Sequence, residues 1–134
     1  MDYIADTHAT LWHLFDPRRL GLAAHAAFES SNAGLSRICL PAVVVAEMIM
    51  VVERGRIPHV TMPELLAQLN VMQGSANYMM LPLLPETVIA SPSHAVIPDI
   101  FDRLIVTEAQ RLVLPLITRD KDIRTAGIVD VLWD

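Results

Sequence analysis

Four acidic residues occupy positions where a carboxylate could do chemistry. Asp6 directly follows a short apolar segment, and Asp120 follows another such segment by two residues. Glu47 lies inside LPAVVVAEMIMVV with no basic residue within five positions, and Asp102 begins a helix-like segment. An ionised carboxylate among apolar side chains is costly unless it is paired, hydrated or bound to a cation. If the four converge, their oxygens are the ligands that Mg²⁺ or Mn²⁺ prefers.

A carboxylate cluster of this kind suits the hydrolysis of phosphodiester bonds. A held cation polarises the phosphoryl oxygen and activates a water molecule for attack. The chain has no GxxxxGK[ST] and no GxSxG motif, so phosphate-loop and serine-hydrolase chemistry receive no support. Cys39 lies in an apolar segment, which favours a buried, inert thiol over a nucleophile. The histidines are scattered without ligand spacing and are interpreted as core-edge or surface residues.

Each acid also has a structural alternative. Asp6 and Asp102 could be helix N-caps. Asp99 could then interact with the positive end of the helix dipole of the helix that begins at Asp102. Asp120 could be a turn residue, and Glu47 could form a buried pair with an arginine. Taken singly, each carboxylate is weak support for a site; taken together, their placement after strands and inside an apolar helix favours one.

The elements that must position these acids alternate between short apolar segments and helix-like ones. This alternation predicts an α/β fold with a mainly parallel sheet, in which ligands bind beyond the carboxyl ends of the strands. The predicted strands are 3–5, 37–40, 77–81, 113–118 and 128–133, and the predicted helices are 7–15, 21–31, 41–54, 62–72 and 102–111. Residues 119–127 are expected to form a loop or a short helix, and the proline-punctuated stretch 82–98 receives no element.

Length and charge set further bounds. The chain has 134 residues, which suits a single domain spanning 1–134. One cysteine allows no intramolecular disulfide, and five histidines without cysteine partners exclude a zinc finger. The net charge of −5 makes the chain a poor non-specific binder of nucleic acid. Any nucleic-acid role therefore requires a local site.

The chain is unusually apolar, with 53% hydrophobic residues and a mean hydropathy of +0.41. Its longest apolar run, residues 40–52, is nevertheless shorter than the ~20 residues needed to cross a bilayer. Asp2 and Asp6 stand where a signal peptide would be basic and then apolar. We expect a soluble cytoplasmic protein with no membrane segment, whose surplus apolar surface is covered by another chain.

The order of motifs resembles that of PIN-domain ribonucleases. The motifs are DTHATLW, the apolar helix carrying Glu47, DIFDRLIVTEA and LPLITRDKDI, and the match runs from Asp2 to the closing VLWD. Within the family, the chain is most similar to toxins of VapBC-type toxin–antitoxin pairs. The resemblance implies a three-layer α/β/α sandwich around a mainly parallel sheet and a Mg²⁺- or Mn²⁺-dependent endoribonuclease. It also implies a homodimer that is neutralised by a VapB-like antitoxin.

The resemblance assigns roles by position. The catalytic and metal-binding acids, in chain order, are Asp6, Glu47, Asp102 and Asp120, the last often a weaker or water-mediated ligand. Asp99 ranks below Asp102 as a metal ligand, and the hydroxyls of Thr7 and Thr118 match positions that orient the acids. In the implied mechanism, the metal binds a scissile phosphate while a carboxylate-held water attacks in line. The cations nearest these motifs, the candidates for phosphate contacts, are Arg37, Arg54, Arg56, Arg103, Arg119 and Lys121.

Four other functions remain open from the sequence. The chain could be a PIN nuclease of RNA processing or repair that has no antitoxin. It could be a non-catalytic interaction module whose acids are only caps and turn residues. A phosphatase or a DNA nuclease would use similar acids.

Overall fold

Five parallel strands form the centre of the computed structural model, which describes all residues from 1 to 134. In chain order the strands are β1 (Tyr3–Ala5), β2 (Ile38–Pro41), β3 (Tyr78–Leu81), β4 (Leu116–Ile117) and β5 (Val131–Leu132). Their order across the sheet is β3-β2-β1-β4-β5, and every neighbouring pair is parallel. The predicted parallel α/β architecture is confirmed.

Seven α-helices connect and cover the strands. They are α1 (Thr7–Phe15), α2 (Leu22–Asn32), α3 (Ala42–Glu53), α4 (Met62–Gln73), α5 (Pro85–Ala90), α6 (Ile100–Leu112) and α7 (Lys121–Ala126). Short 3₁₀ turns lie at Pro17–Arg19 and Ser91–His94. None of the helices combines the length and the apolar content that crossing a membrane requires.

The sheet is buried on both faces, because consecutive strand residues point to opposite sides. Ile4 and Leu116 belong to a large core that they share with α3, α4 and α6. Their neighbours Ala5 and Ile117 belong to a smaller core with α1, α2 and Trp133. The result is the predicted three-layer α/β/α sandwich.

The apolar segment that carries Glu47 is helical, as predicted. Its β-branched residues lower intrinsic helix propensity, but burial of one face compensates. Val43, Val44, Met48 and Val51 are buried in the large core, and Pro41 precedes the first turn. Cys39 in β2 is also buried, and burial raises the pKa of its thiol, in agreement with an inert side chain.

Two predicted boundaries near the site are wrong. The helix expected to begin at Asp102 begins at Ile100, because the Asp99 side chain caps it by accepting a hydrogen bond from the Asp102 amide at 3.1 Å. The strand expected over 113–118 is confined to Leu116–Ile117. Val113 instead closes α6 in a left-handed conformation, and Pro115 has no N–H to donate to a ladder.

The proline-punctuated stretch also contains structure that the sequence did not indicate. It forms α5 and the 3₁₀ turn at Ser91–His94. The Thr87 hydroxyl donates to Glu108 Oε2 at 2.9 Å, so a buried carboxylate on α6 holds α5 in place. The stretch 119–127, expected to be a loop or a short helix, forms the helix α7 over residues 121–126.

Candidate active site

The four predicted acids line one cavity of about 400 Å³ beyond the carboxyl ends of the strands. Its lining residues are Asp6, Thr7, His8, Trp12, Glu47, Asp102, Arg119 and Asp120. They come from segments far apart in the chain, so the fold assembles the cavity. Only one of the eight residues is hydrophobic, which is unusual for a cavity in so apolar a protein.

The cavity lies at the point where the strand order reverses. From β1 the chain builds β2 and β3 on one side of the sheet, and β4 and β5 lie on the other. Such a switch point leaves a crevice at the carboxyl edge, where α/β proteins bind ligands. The Thr118 hydroxyl, just after β4, donates to Asp6 Oδ2, just after β1, and so ties the two strand ends together.

Asp6 is almost fully enclosed, with 7% of its surface exposed. Its Oδ1 accepts a hydrogen bond from the Ala9 amide at 2.9 Å and thereby caps α1. Burial raises the pKa of Asp6 to about 6, against the opposing effects of the hydrogen bonds from Thr118 and Ala9. The predicted cap role is therefore real, and it coexists with a place in the cavity wall.

Glu47 reaches the cavity from the middle of α3 and is half-buried. Its Oε1 accepts a hydrogen bond from the hydroxyl of Thr7, the residue after Asp6. No arginine or lysine lies within ion-pair distance of it, as the ion pairs of the chain all involve other carboxylates. The alternative that Glu47 is one half of a buried arginine pair is wrong.

Asp102 is the acid with the least compensation. Its carboxylate has no hydrogen-bond partner, although its backbone amide is capped by Asp99. Burial raises the pKa of Asp102 to about 8, with further contributions from the negative charges of Asp120, Asp99, Glu47 and Asp6. The alternative that Asp102 is itself the helix cap is wrong; it lies in the first turn and faces the other acids.

Asp120 and Asp99 are both helix caps. Asp120 Oδ1 accepts from the Ile123 amide at 2.9 Å and starts α7. The Asp120 amide in turn donates to the Thr118 hydroxyl at 3.0 Å. Asp120 lines the cavity, whereas Asp99 is exposed and does not.

The donor set fits a divalent cation in its chemistry. Four carboxylates surround a cavity that has room for retained waters, and threonine hydroxyls orient two of them. As the side chains stand, no three acidic, histidine or cysteine residues are gathered into a group that could hold a metal ion.

Sequence reasoning missed two residues of the cavity wall, His8 and Trp12. They are four residues apart on α1, and their rings lie 5.7 Å apart between centroids. The spacing that joins them, i and i+4 on the helix that Asp6 caps, is visible in DTHATLW. Arg119, counted only among possible phosphate contacts, also lines the cavity.

Comparison with known proteins agrees with this architecture. The profile of the PIN domain family matches residues 3–129. No curated protein matches the chain. Among solved structures, VapBC2 from Rickettsia felis bound to a DNA fragment from their promoter superimposes with a TM-score of 0.70 at 13% identity, covering 98% of this chain and 97% of that chain. FitAcB from Neisseria gonorrhoeae gives 0.64 at 19% identity, covering 98% and 96%. At these identities the structural likeness concerns the fold.

Proposed function

Since the chain belongs to the PIN domain family, we propose that it is a metal-dependent endoribonuclease acting as the toxin of a VapBC-type toxin–antitoxin pair. The observation that carries the proposal is the cavity itself. Four carboxylates line it at the switch point of the sheet, and one of them, Asp102, has no hydrogen-bond partner for its carboxylate within the chain. Uncompensated negative charge in a cleft is the setting in which a cation is bound.

In this proposal the cation is Mg²⁺ or Mn²⁺, held by Asp6, Glu47 and Asp102, with Asp120 as a fourth, weaker ligand. When bound, it would polarise a phosphoryl oxygen of RNA and lower the pKa of a water molecule.

The chain's own residues prepare the site in two ways. Thr118 and Thr7 each fix one acid by a hydrogen bond, so that Asp6 and Glu47 each keep a defined orientation. With no cation bound, the pKa of Asp102 is about 8. Its carboxyl must release that proton to act as a ligand. Affinity for the cation should therefore rise with pH.

The partners in the proposal are a second copy of the chain and a VapB-like antitoxin, and the setting is the cytoplasm. Apolar side chains that cover nothing within the chain support the need for partners. Several are concentrated between residues 83 and 100, including Ile89 at 77% and Val96 at 72% exposure. Surfaces of this kind are typical of protein interfaces.

One observation favours the alternative of a non-catalytic interaction module. Three of the acids, Asp6, Asp99 and Asp120, cap helices, which is a sufficient structural role for each of them. The positions of Glu47 and Asp102 are not explained by capping. A nuclease of RNA processing that has no antitoxin would share the same site, and a neighbouring gene for a small DNA-binding antitoxin would separate these two.

The experiment is cleavage of a total RNA pool by the purified protein with Mg²⁺, with Mn²⁺ and with EDTA. An Asp6→Asn variant is prepared in parallel, because asparagine preserves the helix cap while removing the charge. Discrete fragments that require metal and vanish in the variant are expected. Folded protein that is free of antitoxin and cleaves nothing under any metal condition would favour the interaction module.

A further inference from the structure

The structure separates three of the six basic residues that the sequence offered as phosphate contacts. Arg37 forms an ion pair with Asp2 at 3.0 Å, at the opposite edge of the sheet from the cavity. Arg103 donates to the backbone carbonyls of Ile97 and Pro98. These two guanidiniums are occupied within the chain, and Arg119 is not.

Arg119 shares an aromatic support with an arginine that the sequence did not single out. The guanidinium carbon of Arg119 lies 5.7 Å from the centroid of the Trp12 ring, and that of Arg19 lies 4.6 Å from it. Both arginines are exposed, and neither forms a salt bridge or a side-chain hydrogen bond within the chain. Cation–π contact with a tryptophan holds a guanidinium in place without using its N–H groups.

Trp12 is a rigid support. It is 9% exposed and packs edge-on against Trp133, with 5.7 Å between ring centroids. Its rotamer is therefore fixed by the smaller core of the sandwich. Two arginines attached to such a ring are pre-organised, so they lose less conformational entropy on binding an anion.

These arginines lie at the boundary of two cavities. Arg119 lines the acidic cavity, and Arg19 lines a neighbouring cavity of about 350 Å³ together with Arg18, Ile57 and His59. Trp12 lines both cavities and so forms the ridge between them. A chain-like ligand passing from one cavity to the other would cross both guanidiniums.

The geometry points to a phosphate-binding ridge: Arg119 and Arg19 bind backbone phosphates of a single RNA strand as it leaves the acidic cavity across Trp12. The inference rests on the proposed function and names how its substrate is held. A strand of negative charge approaching four carboxylates on a protein of net charge −5 needs local positive charge. Arginine N–H groups bind phosphate oxygens in a bidentate manner. RNA fits better than an acidic peptide, because Arg119 lines the same cavity as the acids.

The test measures binding alone, so that it does not depend on cleavage. A short fluorescent single-stranded RNA is titrated with wild-type protein in EDTA at several salt concentrations. The variants are Arg119→Gln, Arg19→Gln and the double substitution. Arg37→Gln is the matched control, since it removes the same charge at the far edge of the sheet. Circular dichroism and thermal unfolding confirm that each variant is folded.

Each ridge variant is expected to bind roughly tenfold more weakly, as for a lost hydrogen bond to a charged group. The slope of log affinity against log salt should fall by about 1.4 in the double variant, as expected for two phosphates of a single strand. The control should keep the wild-type slope. Ridge variants that bind like the control overturn the inference, as does wild-type protein that binds an acidic peptide but no RNA.

A second readout separates this failure from failure of the proposed function. If wild-type protein cleaves RNA, Arg19→Gln should raise KM while leaving kcat within about twofold, because Arg19 lies outside the acidic cavity and holds the strand away from the reacting atoms. Cleavage with an unchanged KM would refute the ridge and leave the nuclease intact. Absence of cleavage alongside arginine-dependent RNA binding would refute the nuclease and leave the ridge intact.

Discussion

Asp102 is the residue whose surroundings are least compatible with a purely structural role. Helix capping accounts for Asp6, Asp99 and Asp120, but Asp102 accepts no hydrogen bond and faces other carboxylates. A carboxyl that only stabilised the fold would not be expected to have its pKa raised by burial and by neighbouring carboxylates. Its cost to the fold can be measured directly.

We expect Asp102→Asn to stabilise the metal-free protein at neutral pH. The folded pKa of about 8 lies above the unfolded value of about 4. The folded state binds the proton of Asp102 more tightly than the unfolded state does, and this contributes to the free energy of unfolding. The contribution is fully present below about pH 4 and is lost as the pH rises to about 8. The asparagine variant lacks this loss, so its advantage in melting temperature should grow to a few degrees by pH 8.

The measurement is thermal unfolding in EDTA between pH 4 and 8. Asp130→Asn is the control, since Asp130 is exposed and is not among the charges that raise the pKa of Asp102, and its curve should run parallel to that of the wild type. Asp6, with a pKa of about 6, leaves some slope below pH 6 in every variant. An Asp102→Asn curve parallel to the wild type would show that Asp102 titrates normally.

The four acids of the cavity wall could be predicted from the sequence, because Asp6 and Asp120 follow strands, Glu47 interrupts an apolar helix, and Asp102 lies near the start of a helix. The family resemblance also implied that the hydroxyls of Thr7 and Thr118 orient the acids, but it did not say which acid each hydroxyl binds. The Thr7–Glu47 hydrogen bond joins residues 40 positions apart, and the Thr118–Asp6 bond joins residues 112 apart. Such contacts depend on how helices and strands pack, which local pattern does not encode. The same holds for Arg19, whose place beside Trp12 is set by the turn that follows α1.

At the scale of elements, a close contact between α2 and β5 supports the wall that carries Trp12. The carbonyl of Trp133 accepts a hydrogen bond from the Ala24 amide at 3.1 Å, which satisfies an otherwise free N–H in the first turn of α2. Gly21 lies directly against this carbonyl. A Cβ at position 21 would fall 2.2 Å from the Trp133 oxygen.

Gly21→Ala should therefore destabilise the protein by about 1–3 kcal/mol, the range typical of overpacking. The clash is with backbone atoms, so α2 or β5 must move to relieve it. Urea unfolding measures the change. Gly74→Ala is the matched control, because its Cβ would have no heavy atom nearer than 3.9 Å, and it should be neutral or slightly stabilising. Equal effects of the two substitutions would contradict the close contact.

The long, strongly apolar elements were predictable, whereas short ones were predicted poorly. The segment ending at Glu53 has the length and entry signal of a helix, and the structure confirms it. α5 has only six residues and is held by a hydrogen bond from Thr87 to Glu108 on a distant helix. β4 is only two residues long, because Val113 and Pro115 are taken up by the end of α6 and the connection. Tertiary contacts decide such elements.

At the scale of the whole molecule, the fold concentrates negative charge at one point of an apolar body. The parallel sheet brings the ends of β1 and β4 together, and α3 and α6 add one carboxylate each. A cation that binds there stabilises the folded state by mass action, since the unfolded chain has no such cluster.

Mg²⁺ is therefore expected to raise the unfolding temperature of the wild type. At a concentration about 100 times the dissociation constant, the gain is about 2.7 kcal/mol. Asp102→Asn should lose most of this gain. Asp130→Asn should retain the gain, because Asp130 is exposed and lies before β5, at the amino ends of the strands. Differential scanning fluorimetry with and without Mg²⁺ measures the shift in unfolding temperature of the wild type and the two variants. An equal shift in all three proteins would indicate non-specific binding.

The most direct test of the account compares two identical substitutions three residues apart on α6. Asp102 lines the acidic cavity, and Asp99 caps the same helix outside it. In single-turnover cleavage of an RNA substrate with Mg²⁺, Asp102→Asn should lose at least about 100-fold in rate, as for removal of a group that stabilises the transition state. Asp99→Asn should remain within about threefold of wild type, because asparagine also caps helices. Equal rates for the two variants would contradict the proposal that this cavity cleaves RNA.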